Sequence, residues 1–185
     1  MNSFPNGVGE IGNDGCLCHG ASNSDTKISI SGLPEKFESA TNYSLQLTIS
    51  NEEIARNNQS AQGGFRIIVN IGVLYFNNSE GIIIDDGWTH QESSNQQRIW
   101  NFSWLSPDDN TTMAKLLVYG NAVNGNQQQT GDNWKDLEVY IPGVQNFDPI
   151  PTETMTEHKL ETFDRTMLFS GLIVLLYICY RIIKD

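Results

Sequence analysis

Asn42–Ser50 reads NYSLQLTIS, and Arg98–Trp104 reads RIWNFSW. In the first stretch Leu45, Leu47 and Ile49 fall on one face of an extended chain, with Gln46 and Thr48 on the other. In the second, Trp100, Phe102 and Trp104 fall together. A two-residue period marks a half-buried strand, because successive side chains of a strand point to opposite faces. Three large rings at that period predict a core face rather than a platform for stacking sugars. The same alternation recurs on both sides. Lys27–Ser31 (KISIS) carries it, and Phe65–Ile71 places Phe65, Ile67, Val69 and Ile71 on one face. Met113–Tyr119 and Leu137–Ile141 complete the set, and Gly81–Ile84 is a short extra candidate. Turn signals separate the runs: Gly32-Leu-Pro, Gln62-Gly-Gly, Asp85-Asp-Gly, Ser106-Pro-Asp-Asp-Asn and Asn124-Gly-Asn. No segment before residue 150 sustains a 3.6-residue period. About seven short alternating strands without helices predict an all-β fold, an antiparallel β-sandwich.

Composition agrees with one domain plus an appendage. The chain has 185 residues, of which 38% are apolar, against roughly 45–50% in globular proteins generally. Asn, Gln, Ser, Thr and Gly fill the difference. Four Trp, six Tyr and eight Phe still supply large core side chains. The formal net charge of -11 argues against nucleic acid as a partner, since phosphate recognition needs a basic surface to displace counterions. It argues equally against electrostatic docking of the domain on anionic lipid.

The C-terminal run from Met167 to Tyr180 holds no charged residue, and Ile182 and Ile183 extend it past Arg181. With Arg181 snorkelling this is about 17 positions, the short end of what spans a bilayer. A transmembrane helix is therefore expected over 166–183, preceded by a stalk over 147–165 that is rich in Pro, Glu and Thr. The β-sandwich domain is assigned to 26–146, and 1–25 to a Cys/His-containing N-terminal segment. Arg181 and Lys184 behind the apolar run favour a single-pass protein of the cell membrane with its β-domain outside. No secretory signal is visible at Met1-Asn-Ser-Phe-Pro. Sequons at Asn42, Asn58, Asn77, Asn101 and Asn110 are compatible with export.

Several motifs occur in one order: Gly15-Cys-Leu-Cys-His-Gly20, Ile30-Ser-Gly-Leu-Pro34, Tyr43-Ser-Leu-Gln-Leu-Thr-Ile49, Gly64-Phe, Thr89-His90, Trp100-Asn-Phe-Ser-Trp-Leu-Ser-Pro107, Tyr119-Gly-Asn-Ala-Val-Asn-Gly125 and Gly131-Asp132. In this order they resemble the choice-of-anchor V domain, a relative of the reeler domain at the N-terminus of reelin. The resemblance covers roughly residues 7–140. It implies an immunoglobulin-like sandwich displayed outside the cell on an anchor. Members of that family often carry Cys-x-x-Cys-His where this chain has Cys-x-Cys-His, one residue shorter.

Cys16, Cys18 and His19 form the candidate site. In a c-type haem site two thiols bond the vinyl groups and the next His ligates iron. With only Leu17 between the thiols, a single thioether with His19 on the iron is the variant this spacing suggests. Alternatively, two thiolates and an imidazole suit a copper or zinc ion, with His90 as the fourth ligand. The third reading is structural: a strained disulfide, or two thiols, with His19 in a turn. Acidic turns at Asp85-Asp86, Asp108-Asp109-Asn110 and Gly131-Asp132-Asn133 are read as turns before calcium sites. His158 is read as a solvated stalk residue, and Cys179 as a small hydrophobe of the tail. Hydrolase and nucleotide chemistry find no motif. Two functions follow as expectations: a surface binding or adhesion module, or a surface electron-transfer or metal-binding protein.

Overall fold

The computed structural model describes residues 6–16, 22–54, 60–126, 128, 130–151 and 184. Nine strands form two antiparallel sheets: β1 (Thr26–Ser31), β2 (Asn42–Asn51), β3 (Gly63–Val69), β4 (Val73–Phe76), β5 (Gly81–Ile84), β6 (Gly87–His90), β7 (Ile99–Leu105), β8 (Met113–Ala122) and β9 (Asn133–Pro142). One sheet has the order β1-β2-β7-β4, the other β5-β6-β3-β8-β9. Among the described residues 6–151, the helical elements are short 3-10 turns at Glu10–Asp14 and Glu92–Ser94. The chain divides into a unit Met1–Ile150 and a unit Pro151–Asp185.

The predicted core stripes close on one another. Leu45, Leu47 and Ile49 of β2 and Trp100, Phe102 and Trp104 of β7 meet Phe65, Ile67, Leu116, Val118 and Ile141 from the facing sheet. Trp100 and Trp104 are fully buried. Their indole N–H groups donate to the Ser94 carbonyl at 3.1 Å and the Ile71 carbonyl at 3.2 Å, so neither ring leaves a polar atom unsatisfied. Gly120 faces inward, and a Cβ there would crowd Ile49 and Ile28.

Two strands, β4 and β6, were not expected from the sequence, and β3 ends at Val69 rather than Ile71. Each unexpected strand has four residues, too short a run for alternation to stand out. β4 is set by a distant partner and β6 by a local hairpin. Val73–Phe76 lies along Phe102–Leu105, and Gly87–His90 pairs with Gly81–Ile84. The β5–β6 turn places Asp85 and Asp86 at φ 45° and 59°, the left-handed pair that a two-residue hairpin requires. Asp85-Asp86 is thus a turn, as read from the sequence. Among the described residues no helix is long and apolar enough to cross a membrane. The run expected to do so, with its stalk, His158 and Cys179, lies outside the described residues.

Candidate functional site

The Gly- and Asn-rich N-terminal segment lies across the outer face of the five-stranded sheet. The Val8 amide donates to Thr89 Oγ1 at 3.1 Å, and the Glu10 amide to the Asp85 carboxylate at 3.0 Å. Farther along, Tyr119 donates its hydroxyl to the Asn13 carbonyl, and Gly15 lies against the Trp134 indole. The segment therefore crosses from the β5–β6 hairpin over β3 and β8 to β9. At Gly15, φ is 108° and a Cβ would collide with Trp134, so only glycine fits the close approach.

Arg66 ties this segment down from beneath. Its position on β3 alternates outward, yet its exposure is 0%. The guanidinium donates to the carbonyls of Val8 (3.0 Å), Ile84 (2.9 Å) and Asp85 (2.9 Å), and to Asn13 Oδ1. Burial pushes its pKa below the ordinary arginine value, while Asp85, Glu10 and Asp86 oppose the shift. Burial likewise raises the Tyr119 phenol, helped by Asp136.

Of the predicted site residues, Cys16 is half-buried at the end of this segment. His90 is the last residue of β6, not a loop residue. Its Nδ1 accepts the Phe65 amide at 3.2 Å, and its ring lies over Gly64, where a Cβ would come within 2.6 Å of Cε1. Gly64 pairs with Asn121, and Asn121 with Trp134. One register row across the outer face runs from Gly64 through Asn121 to Trp134, on which Gly15 rests, and the His90 ring lies over its Gly64 end. Asn121 is 5% exposed and its Oδ1 has no hydrogen-bond partner. Cys18 and His19 lie outside the described residues. Among the described residues no three His, Cys, Asp or Glu side chains gather as metal ligands.

The acidic turns have local partners. Asp109 Oδ1 accepts the Thr111 hydroxyl and amide, which holds its carboxyl below the usual range. Asp132 Oδ1 accepts the Asn124 amide at 3.0 Å.

A second feature lies on the opposite side of the sandwich and was missed in the sequence. The outer face of the four-stranded sheet holds an open groove of about 400 Å³, floored by Ser31, Ser44, Gln46, Asn101 and Ser103 and edged by Tyr75 and Asn77. The register sets two rows across it. Ser31, Gln46 and Asn101 make one, and Ser44, Ser103 and Tyr75 the other. Gln46 Nε2 donates to Asn101 Oδ1 at 2.9 Å. Tyr75 is 51% exposed. No charged side chain lines the groove. Alternation marks these positions as solvent-facing, but only the register shows that they adjoin.

Solved structures similar to this one include reeler domains. The human F-spondin reeler domain matches at 14% identity, covering 68% of this chain and 95% of that chain, with a TM-score of 0.45. Two further neighbours are conjugative transposon proteins. A lipoprotein of Bacteroides eggerthii matches at 11% identity over 64% of this chain and 98% of that chain (TM-score 0.40). A protein of Bacteroides vulgatus matches at 10% identity over 71% and 95% (TM-score 0.44). No family model matches the chain, and no curated protein matches it. The choice-of-anchor V part of the resemblance rests on the sequence motifs alone.

Proposed function

We propose that the chain is a membrane-anchored, surface-displayed binding module of immunoglobulin-like type, with the outer face of its four-stranded sheet as recognition surface. The groove on that face carries the reading, because it exposes hydrogen-bonding side chains in register beside an uncovered aromatic ring. The strand order supports the immunoglobulin-like assignment. With the β5–β6 hairpin set aside, the two sheets run β1-β2-β7-β4 and β3-β8-β9, the A-B-E-D and C-F-G arrangement of constant-type domains. The uncharged run 167–180 followed by Arg181 and Lys184 supports an anchor with the domain outside. Protease added to intact cells is expected to remove residues 1–150 and spare the tail; a protected domain would sink the display reading. Purified full chain is expected to bind isolated envelope or matrix material saturably, and Asn101→Arg, in the floor of the groove, to abolish that binding.

A second reading is favoured by the row Gly64–Asn121–Trp134. Gly15, next to Cys16, rests at one end of this row and the His90 ring lies at the other, with the buried Asn121 Oδ1 between them. Strands stand about 4.8 Å apart, so β6 to β9 span about 14 Å of backbone, of which the His90 ring covers one step. A single ion needs sulfur and nitrogen within about 4–5 Å of each other, while a haem would need the N-terminal segment to lift, because Asn121 and Trp134 beneath it are each 5% exposed. Cys16 or Cys18 would hold its edge, His19 its iron, and His90 would approach from the sheet. A bound haem would supply one-electron transfer. A pyridine haemochrome on membrane-extracted protein, with a metal assay, tests it; absence of both signals leaves the cysteines structural.

A further inference from the structure

We infer that the groove of the four-stranded sheet takes a neutral carbohydrate, an inference that rests on the binding-module reading and names its ligand class. The floor is made of amides and hydroxyls. With Gln46 Nε2 donating to Asn101 Oδ1, the pair still carries an acceptor, Gln46 Oε1, and amide N–H donors on both side chains. Two adjacent hydroxyls of a sugar ring complement such a pair, since each hydroxyl both donates and accepts. Ser44 and Ser103 add hydroxyls one row away. Tyr75, half-exposed at the end of that row, offers a ring face on which the C–H face of a pyranose can lie.

Charge narrows the class. In a chain of net charge -11 the groove is an uncharged patch. Sulfated or uronic glycans and nucleic acids would meet repulsion from the surrounding protein and no cation in the floor. Glu80 reaches the margin, but its carboxylate is engaged by the Asn101 backbone amide at 3.2 Å. Size argues in the same direction. A groove of about 400 Å³ is in the range of small-ligand sites. An apolar peptide would strand the floor's polar groups without hydrogen bonds.

The test uses the full chain in lipid nanodiscs, because alkyl-glycoside detergents present the proposed ligand. Neutral gluco-, manno-, galacto- and xylo-oligosaccharides are titrated by saturation-transfer NMR and calorimetry, with sulfated and uronic oligosaccharides as comparators. At least one neutral series is expected to bind saturably and more tightly than the anionic ones. Tyr75→Ala and Asn101→Leu should each weaken it about tenfold, while Tyr75→Phe stays within about twofold. These positions face solvent, so thermal unfolding should be unchanged in the variants. The inference is overturned if no neutral oligosaccharide binds, if anionic ones bind better, or if Tyr75→Ala leaves affinity unchanged. It is overturned too if mass spectrometry finds Asn101, itself a sequon, carrying a covalent glycan that fills the floor. Should Asn101→Arg abolish envelope binding while neutral sugars do not bind, the module stands and only its ligand class is wrong.

Discussion

Arg66 shows how one side chain can organise a segment without regular structure of its own. Its alternation on β3 marks it as a surface residue, yet it is enclosed and gives its N–H groups to three backbone carbonyls and Asn13. Arg66→Lys removes the planar fork and leaves carbonyls unpaired, so stability should fall by about 2–3 kcal/mol in urea unfolding. The Val8 amide should also lose hydrogen-exchange protection. A surface arginine would give neither effect. At Gly64 the substitution to Ala should displace the His90 ring, since the new methyl meets it. If haem is bound, its absorption maximum should shift; stability alone should drop by about 1–2 kcal/mol. The sequence names Cys16 and His90, but not the row joining them. Gly64 and Asn121 stand in separate motifs and Trp134 in none, and the three become neighbours only through strand register.

At the scale of elements, β2 and β7 were legible because each is long enough for its period to stand out and its rings are large. Trp104→Ala should therefore cost about 3–5 kcal/mol, measured as the shift in denaturant midpoint. Its outer-face neighbour change Tyr75→Ala should stay within about 0.5 kcal/mol. Strands β4 and β6 were not legible, because each is only four residues long, and β4 is paired by β7, far along the chain. The β8–β9 pair carries the clearest electrostatic device. Lys115 Nζ lies 2.6 Å from Glu138 Oε1, and the Tyr140 hydroxyl donates to Oε2 at 2.7 Å. The hydrogen bond from Lys115, then that from Tyr140, holds the Glu138 carboxyl below its ordinary value, while Lys115 is raised chiefly by its bond to Glu138. A depressed carboxylate stabilises above its unfolded value near 4.5, and the gain is lost as pH falls through the lower folded value. The raised lysine stabilises below 10.5 and loses its share as pH rises through the folded value. Glu138→Gln should flatten both limbs of the stability–pH curve, by less than about 1 kcal/mol because the pair is solvent-screened.

For the whole molecule, the excess of carboxylates should make unfolding salt-sensitive. Raising salt from low ionic strength screens self-repulsion, so calorimetry should find the melting temperature higher by on the order of 2–4 °C. Much of the architecture was written in alternation, but the joining of its first residues to the sandwich was not. Asn13 reaches Tyr119, 106 positions away, and Glu10 reaches Asp85, 75 positions away. On a ribosome these first residues emerge long before their anchors exist. The segment leading to Cys16 must wait, undocked, until β9 has been made and Trp134 is in place. During that interval its thiol fully faces whatever oxidant, thiol or prosthetic group the compartment offers; docking then leaves it half-buried. The order of synthesis thus sets a window of full exposure at the cysteine, opened by translation and narrowed by the last strand.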